Sequence, residues 1–463
     1  MSVTFLLTAT PILLCGVGLY YTLALRGFFL LHPLRCLRLL FGGKREGGIS
    51  PFRALTVALA GTLGVGNIVG VASAIYLGGP GAVFWMLVSA LLAMVLKYAE
   101  ITLALRHRRP HPDGGYTGGA SYYVEEGLTA RGFARAGKLL GVVFTVLCLV
   151  NALTMGSLLQ VNAVAGAMEE AFGVAPLLTG CAVAVLAVVV VLGGAERISA
   201  LTEKLVPVMT VGFVLVCGAV LILRRERIPA ALGDIWADAL SPKSAGAGVL
   251  GFLTAGGIRY GVMRGLVSNE AGCGTAPMAH AAAHVDLPAR QGLFGLVEVF
   301  VDTVLLCSLT ALCILVSDSG PSAFGEDVTH TAQAAFSSVL GDWAGGFFGV
   351  AIFLFGVATV ICWAHYGMTC VGYLFRGGGR RRVAEGVYVV MLAASLAVGG
   401  VTAPTLAWTV ADGAIAVMTL LNLLVLVVLR REVREETEIL FRTGGLGADR
   451  ISCKEKPSER RPL

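Results

Sequence analysis

Apolar runs of about 20 residues recur along almost the whole chain, near 4–25, 55–77, 82–104, 139–168, 176–193, 205–223, 246–267, 290–317, 345–374, 384–400 and 409–429. A lipid core about 30 Å thick demands that length of helix, because every backbone N–H and C=O inside it must be satisfied within the segment. The pattern therefore predicts an all-α integral membrane protein with eleven transmembrane helices. Composition agrees: 56% of the 463 residues are hydrophobic and 14% charged, against roughly 25% charged in an ordinary soluble domain. The net charge of +6 does not indicate nucleic acid, because the cations fall in short clusters between apolar runs, where they set orientation. The eleven cysteines sit mostly inside apolar runs without metal-ligand spacing and read as small core hydrophobes. The first run has no basic residues before it and is followed by Arg26 and Arg35, the pattern of an uncleaved helix.

Alternate loops carry the cations. One set holds Arg35, Arg38, Lys44, Arg45 and Arg53, then Arg106 to Lys138, Arg197 and Lys204, Arg376 to Arg382, and Arg430 and Arg431; the other set is nearly empty of them, apart from 224–246. The positive-inside bias places the N-terminus outside and the C-terminus in the cytoplasm. The tail from 431 to 463 is charged and turn-rich at its end and reads as a disordered cytoplasmic segment.

Two runs are oddly built for lipid. The second, ALAGTLGVGNIVGVASAIYLGGPG, carries Gly61, Gly64, Gly66 and Gly70 around Asn67; the seventh, GVLGFLTAGGIRYGVMRGLVSNEAGCGTAP, carries Gly248, Gly251, Gly256, Gly257, Gly261 and Gly265. Five runs separate their starts, so the chain divides into an N-terminal helix and connector (1–50), two five-helix repeats of opposite orientation (51–223 and 224–430), each opening with an interrupted helix, and the tail. Glycine-interrupted segments at matching positions of two halves point to a secondary transporter's binding site. A break frees amide donors on one half-helix and carbonyl acceptors on the other, which suits a carboxylate and a cation, and so a zwitterionic amino acid carried with Na⁺. Close packing is the competing reading, since Gly66 and Gly70 have GxxxG spacing. No Gly-Lys-Ser/Thr follows, so the glycines are not a nucleotide loop. HExxH and GxSxG are both absent, which disfavours a membrane hydrolase, and a channel would repeat a filter rather than pair two broken helices.

GTLGVGNIVGVASAIYLGGPGAVFWM, LKYAEITLALRHR, GGASYYVEEGL, GGAERISALTEKLVPVM, RGLVSNEAGCGTAP and WTVADGAIAVMTLLNLL, in that order over about residues 50–430, resemble the alanine or glycine:cation symporter family. The resemblance implies a LeuT-type inverted-repeat fold with one helix before the repeats, and uptake of small neutral amino acids driven by Na⁺ or sometimes H⁺. It implies no cofactor beyond the coupling ion and no protein partner. Gly64, Val65, Gly66 and Asn67 match its broken helix, with Asn67 expected to meet substrate or ion directly. Gln160 and Asn162 match a stretch bearing polar substrate contacts, Thr359 and Trp363 match its threonine–tryptophan stretch, and Thr254, Gly256 and Gly257 fall in the second broken helix. Na⁺ is expected near Thr62, Gly64 and Thr359. Two positions depart from the family pattern: Val65 replaces a usual Thr, and Ala358 a frequent Ser or Thr, each removing a hydroxyl near the expected site. A proton-coupled carrier of another small amino acid or solute is the alternative.

Other polar residues in the runs read two ways. Lys97 and Glu100 suit an internal ion pair or a gate; Glu298 and Asp302, one turn apart, suit a structural network or a proton relay; Asn269 and Glu270 suit loop hydrogen bonding; Asp412 and Asn422 tie the last helix to the bundle.

Overall fold

The computed structural model describes residues 3–41, 48–111, 115–240, 256–317, 328–376, 378–402 and 405–443. The architecture is a helix bundle; among the described residues the only strands are two-residue pieces, Arg109–Pro110 antiparallel to Tyr116–Thr117. α1 (Val3–Ala24) precedes a short helical hook, and then the second apolar run divides into α2 (Pro51–Thr62) and α3 (Val69–Gly78). α4 (Gly81–Arg106) and the short α5 (Ala120–Thr129) follow. α6 (Ala134–Leu153) and α7 (Leu159–Phe172) form one continuous span, widened to π geometry at Thr154–Leu158. Next come α8 (Pro176–Val191), α9 (Gly194–Leu223), α10 (Ile228–Ala239), α11 (Gly256–Asn269) and the four-residue α12 (Pro277–His280). α13 (Pro288–Val299) and α14 (Ser308–Val316) are again one span with a π segment, Phe300–Cys307, between them. α15 (Val328–Leu340), α16 (Trp343–Leu374), α17 (Gly378–Gly399) and α18 (Thr405–Thr443) complete the chain.

Among the described residues seven helical stretches are long and apolar enough to cross a membrane, and Thr8–Ala24, Val69–Gly78 and Pro176–Val191 are shorter apolar helices. α16 is the most enclosed of the seven, with 78% of its apolar window buried, whereas α9 and α17 are each 28% buried and turn Val208, Leu215, Val383 and Val390 outward. That contrast is what a bilayer produces: central helices are apolar because they are packed, peripheral ones because they meet lipid.

The first break is where the glycine pattern puts it. α2 starts on Ser50, whose hydroxyl accepts from the Arg53 N–H at 3.2 Å, with Pro51 at the first helical position. It ends at Thr62; Val65–Asn67 forms a single 3₁₀ turn, and α3 resumes at Val69.

Of the seventh run, in which the second interruption is expected, only the part from Gly256 onward lies within the described residues. Thr254 lies outside the described residues. Gly256 and Gly257 are the first described residues of α11 and pack against the end of α3: a Cβ on Gly257 would lie 3.2 Å from the Gly78 carbonyl oxygen, and one on Gly78 would lie 3.2 Å from that of Gly256. Gly261 likewise abuts the Ala82 backbone. These are packing glycines, which let α11 approach α3 and α4 closely. The second break among the described residues is Glu270–Ala276, where Glu270 (φ 53°), Gly272 (φ 89°) and Gly274 (φ 84°) take left-handed conformations that end α11.

The last helix also exceeds expectation. It runs to Thr443, with Val433, Thr437 and Leu440 buried, so residues 431–443 are packed helix; 444–463 lie outside the described residues.

Candidate functional site

The first break is built from its own backbone and clasped by two side chains from elsewhere. The Asn67 carboxamide oxygen accepts from the Gly64 N–H at 3.1 Å, while the Asn67 N–H donates to the Gly64 carbonyl at 3.2 Å. Gln160 on α7 accepts from the Val65 N–H at 3.2 Å and donates to the Met155 carbonyl. Asn67 Nδ2 donates to Asp302 Oδ1 at 2.6 Å. Asp302 Oδ2 accepts from Ser268 Oγ at 2.8 Å and Thr303 Oγ1 at 2.6 Å, and Asn269 Nδ2 donates to Thr303 Oγ1. Gln160 and Asp302 both come from spans with a π turn, one just before Gln160 and one containing Asp302. A π turn rotates the following residues off the regular helix face.

A cavity of about 660 Å³ opens onto this break. Its walls include Gly61, Thr62, Gly64, Val65, Gly66 and Gly70, Gln160 and Asn162 on α7, Thr359 and Trp363 on α16, and Trp408 on α18. It extends to the end of α7, where Glu169 and Glu170 are exposed. Gly64 is glycine because a Cβ there would lie 2.5 Å from Thr359 Oγ1 and 3.2 Å from Gln160 Oε1; around Gly70 nothing comes within 4 Å. Thr359 Oγ1 donates at 3.0 Å toward the carbonyls of Ala60 on α2 and Phe355 on its own helix, and it lies against Gly64. Trp363 is fully buried against Gly156, and its indole N–H faces Glu270 without reaching hydrogen-bond geometry. Beside the cavity, Arg264 lies 4.9 Å over the Trp408 ring and 3.9 Å from Asp412.

The structure thus brings together Thr62, Gly64, Val65, Gly66, Gln160, Asn162, Thr359 and Trp363 around one cavity. Asn67 is not among its lining residues; the side chain is buried behind the break, committed to Gly64 and Asp302. Gly256 and Gly257 stand apart at the α3 end. Asn162 lines the cavity but donates to the Gly399 and Thr402 carbonyls, which ties α7 to the end of α17. Asp302 is the participant that sequence reading left undecided. Its one-turn spacing from Glu298 suggested a shared environment, but the π segment sends Glu298 to Lys97 and His280 and Asp302 to Asn67.

At the end of α4 a polar network joins three elements. Glu432 accepts from Arg131 Nη1 at 2.7 Å and meets His107 Nε2 at 2.7 Å and Arg106 Nε at 3.2 Å, while Glu126 meets Arg109 at 2.6 Å and His107 Nδ1 at 3.3 Å. Burial by itself would lower the His107 pKa, but the Glu126 and Glu432 carboxylates outweigh it and hold the imidazole above its ordinary 6.5. Burial would raise the Glu126 carboxyl, and His107 and Arg109 together hold it below its usual range.

The model of the sodium:alanine symporter family matches residues 2–445. The chain belongs to the sodium:alanine symporter family. It is 38% identical over 426 residues to the sodium/alanine symporter AgcS of Methanococcus maripaludis, covering 90% of this chain and 91% of that protein. It is 34% identical over 445 residues to a putative sodium/proton-dependent alanine carrier, YrbD, of Bacillus subtilis, covering 93% and 89%. In fold it is similar to the crystal structure of MhsT in complex with L-phenylalanine, with a TM-score of 0.58 at 13% identity over 87% of this chain and 97% of that one. A LeuT-type helical fold and family membership together make this chain a multi-pass membrane transporter for cation-coupled amino acid symport, not an enzyme.

Proposed function

We propose that the chain imports a small neutral amino acid such as alanine or glycine together with Na⁺, by alternating access, from the break at Leu63–Ile68. The observation that carries this reading is the opening of that break onto a single cavity whose walls combine both helix ends. The first amides of α3 have no intrahelical acceptor and lie at the positive end of its dipole, so Val69 and Gly70, which line the cavity, present donors to a carboxylate. The carbonyl end of α2, with Thr62, Gly64 and the Thr359 hydroxyl, offers oxygen ligands to Na⁺. Asp302 adds a buried negative charge behind the break, and among the described residues no ion pair neutralises it. Trp363, Met155, Val267 and Trp408 form apolar walls suited to a small side chain. Gln160 and Asn67 act as positioning residues, holding the half-helices at their present angle.

In this reading eleven spans form one N-terminal helix and two inverted repeats, with the N-terminus outside and the C-terminus cytoplasmic. The cavity's extension past Glu169 and Glu170 then faces outward. Closure on the other side rests on α2, held by Arg53 to Glu203 at 2.7 Å and by the Ile49 carbonyl accepting from the His284 N–H at 2.9 Å.

Reconstitution into liposomes tests the proposal. Labelled alanine, glycine and larger neutral amino acids are offered under an inward Na⁺ gradient, an inward proton gradient, or neither. Accumulation of alanine or glycine driven by Na⁺ alone is expected. Accumulation by the proton gradient in Na⁺-free buffer, or none for any amino acid, overturns it.

A further inference from the structure

The second break, like the first, is surrounded by buried charge, but of a different balance. Lys97 and Glu100 on α4, Glu270 in the break and Glu298 on α13 have no exposed surface. Lys97 Nζ lies 3.1 Å from Glu298 Oε1, and Glu298 Oε2 lies 3.1 Å from His280 Nε2. Gln291 Nε2 reaches both the Pro51 carbonyl and His280 Nδ1, at 3.3 and 2.8 Å. A carbonyl can only accept, so this amide nitrogen is a donor; His280 Nδ1 is therefore the acceptor, the proton is on Nε2, and the imidazole is neutral. Glu100 Oε1 accepts from Asn422 Nδ2, which also donates to the Gly272 carbonyl inside the break. Glu270 Oε2 accepts from Thr275 Oγ1 at 2.5 Å. Glu100 Oε2 and Glu270 Oε1 are buried without a hydrogen-bond partner.

Asp302, held by Asn67, Ser268 and Thr303, also lies in the field of Lys97; the remaining groups facing the cluster are neutral: Tyr21 on α1, Tyr123 on α5, Cys273 in the break, and Cys362 and Tyr366 on α16. One ammonium thus confronts three carboxyls. Glu298 is matched by Lys97 and by the His280 N–H; Glu100 and Glu270 would leave two uncompensated negative charges out of water, which costs several kcal/mol per ion. Two agents can remove that charge. A metal cation is disfavoured, because the Lys97 ammonium already stands among these carboxyls and would repel it.

We propose that the second break is a proton-binding site, in which Glu100 and Glu270 hold at least one exchangeable proton on their unpartnered oxygens. The site is linked to transport by contact. Glu270 faces the Trp363 indole, which walls the cavity, and Gln291 joins the cluster to the first residue of α2. A substrate that presses on Trp363, or a swing of α2, changes the field at Glu270 and with it the proton's affinity. The proposal holds whether or not Na⁺ proves to be the driving ion.

Infrared spectroscopy of the purified full-length protein tests it without any substrate. At neutral pH the wild type is expected to show a carboxylic-acid C=O stretch, shifted in D₂O, that weakens in Glu100→Gln or Glu270→Gln and loses that contribution in the double variant. Absence of the band in the wild type, or a band unchanged in the double variant, overturns the proposal. Titrating alanine affinity against pH at saturating Na⁺ tests the link to the cavity. A slope of up to about tenfold per pH unit per linked proton is expected in the wild type and a flat profile in Glu270→Gln; the same slope in both overturns it.

Discussion

Replacing Gly64 by Ala isolates what the first break requires of its closest approach. The backbone there is extended (φ −109°), a conformation open to any residue, so the substitution acts through volume alone. The new Cβ would lie 2.5 Å from Thr359 Oγ1, and that hydroxyl is held by two carbonyls at 3.0 Å. Overpacking of this kind costs about 1–3 kcal/mol, and displacing the hydroxyl forfeits about 1 kcal/mol more of hydrogen bonding. Thr359→Ala removes the obstructing oxygen and leaves its own Cβ at 3.4 Å and Gln160 Oε1 at 3.2 Å, the latter a tight contact at the end of a side chain that shifts by a few tenths of an ångström. The pair therefore forms a double-mutant cycle. Gly64→Ala should lower the thermal midpoint of the purified transporter clearly, Thr359→Ala modestly, and the double variant little more than Thr359→Ala, a coupling of about 1–3 kcal/mol. Gly70→Ala serves as the contrast, because its Cβ meets nothing within 4 Å, and a helical Gly→Ala change is neutral or stabilising by about 0.5–1 kcal/mol. Effects of Gly64→Ala and Thr359→Ala that add within about 0.5 kcal/mol would refute the reasoning.

Asn67→Ala removes the acceptor for the Gly64 N–H and a donor to a buried carboxylate, together about 2–4 kcal/mol. It should destabilise the protein and nearly abolish uptake; wild-type uptake with an unchanged thermal midpoint would exclude a structural role for the break. Val65→Thr restores a hydroxyl at the cavity wall with little change in shape, and competition uptake should shift toward serine and glycine by roughly five- to tenfold at unchanged Na⁺ dependence. An unchanged substrate ranking beside a changed Na⁺ response would refute it. The raised His107 pKa makes its contribution to stability complete below pH 6.5 and lost as pH rises through the higher folded-state value; thermal stability should fall across that window in the wild type and stay flatter in His107→Gln.

The glycine-and-asparagine pattern located the first break because there the glycines serve the break itself: Gly64 yields to Thr359, and Asn67 bonds back to Gly64. In the described part of the seventh run glycines also mark close packing. In α11 the glycines serve helix packing against Gly78 and Ala82, while unwinding is produced by Glu270, Gly272 and Gly274, in a stretch whose polar residues read as a loop. Lys97 and Glu100, three apart, invited an ion pair with each other, yet each finds its partner on a distant helix, Glu298 and Asn422. Nothing local announces a partner that tertiary packing supplies. Nor does sequence periodicity show a π turn, which adds a residue without changing composition and so sends Glu298 and Asp302 to separate clusters.

The pairing of α4 with late-arriving helices has a consequence for biosynthesis. Glu100 waits for Asn422, 322 residues further along the chain; at about 5–20 residues per second that interval is on the order of tens of seconds. During it α4 must reside in the translocation machinery or the bilayer with Lys97 and Glu100 unmatched, when a central Lys alone penalises insertion by about 2.5–3.5 kcal/mol. The surrounding leucines, valines and alanines of α4 offset that penalty, so its hydrophobicity serves the unfinished bundle as well as the finished one, where the helix is two-thirds enclosed.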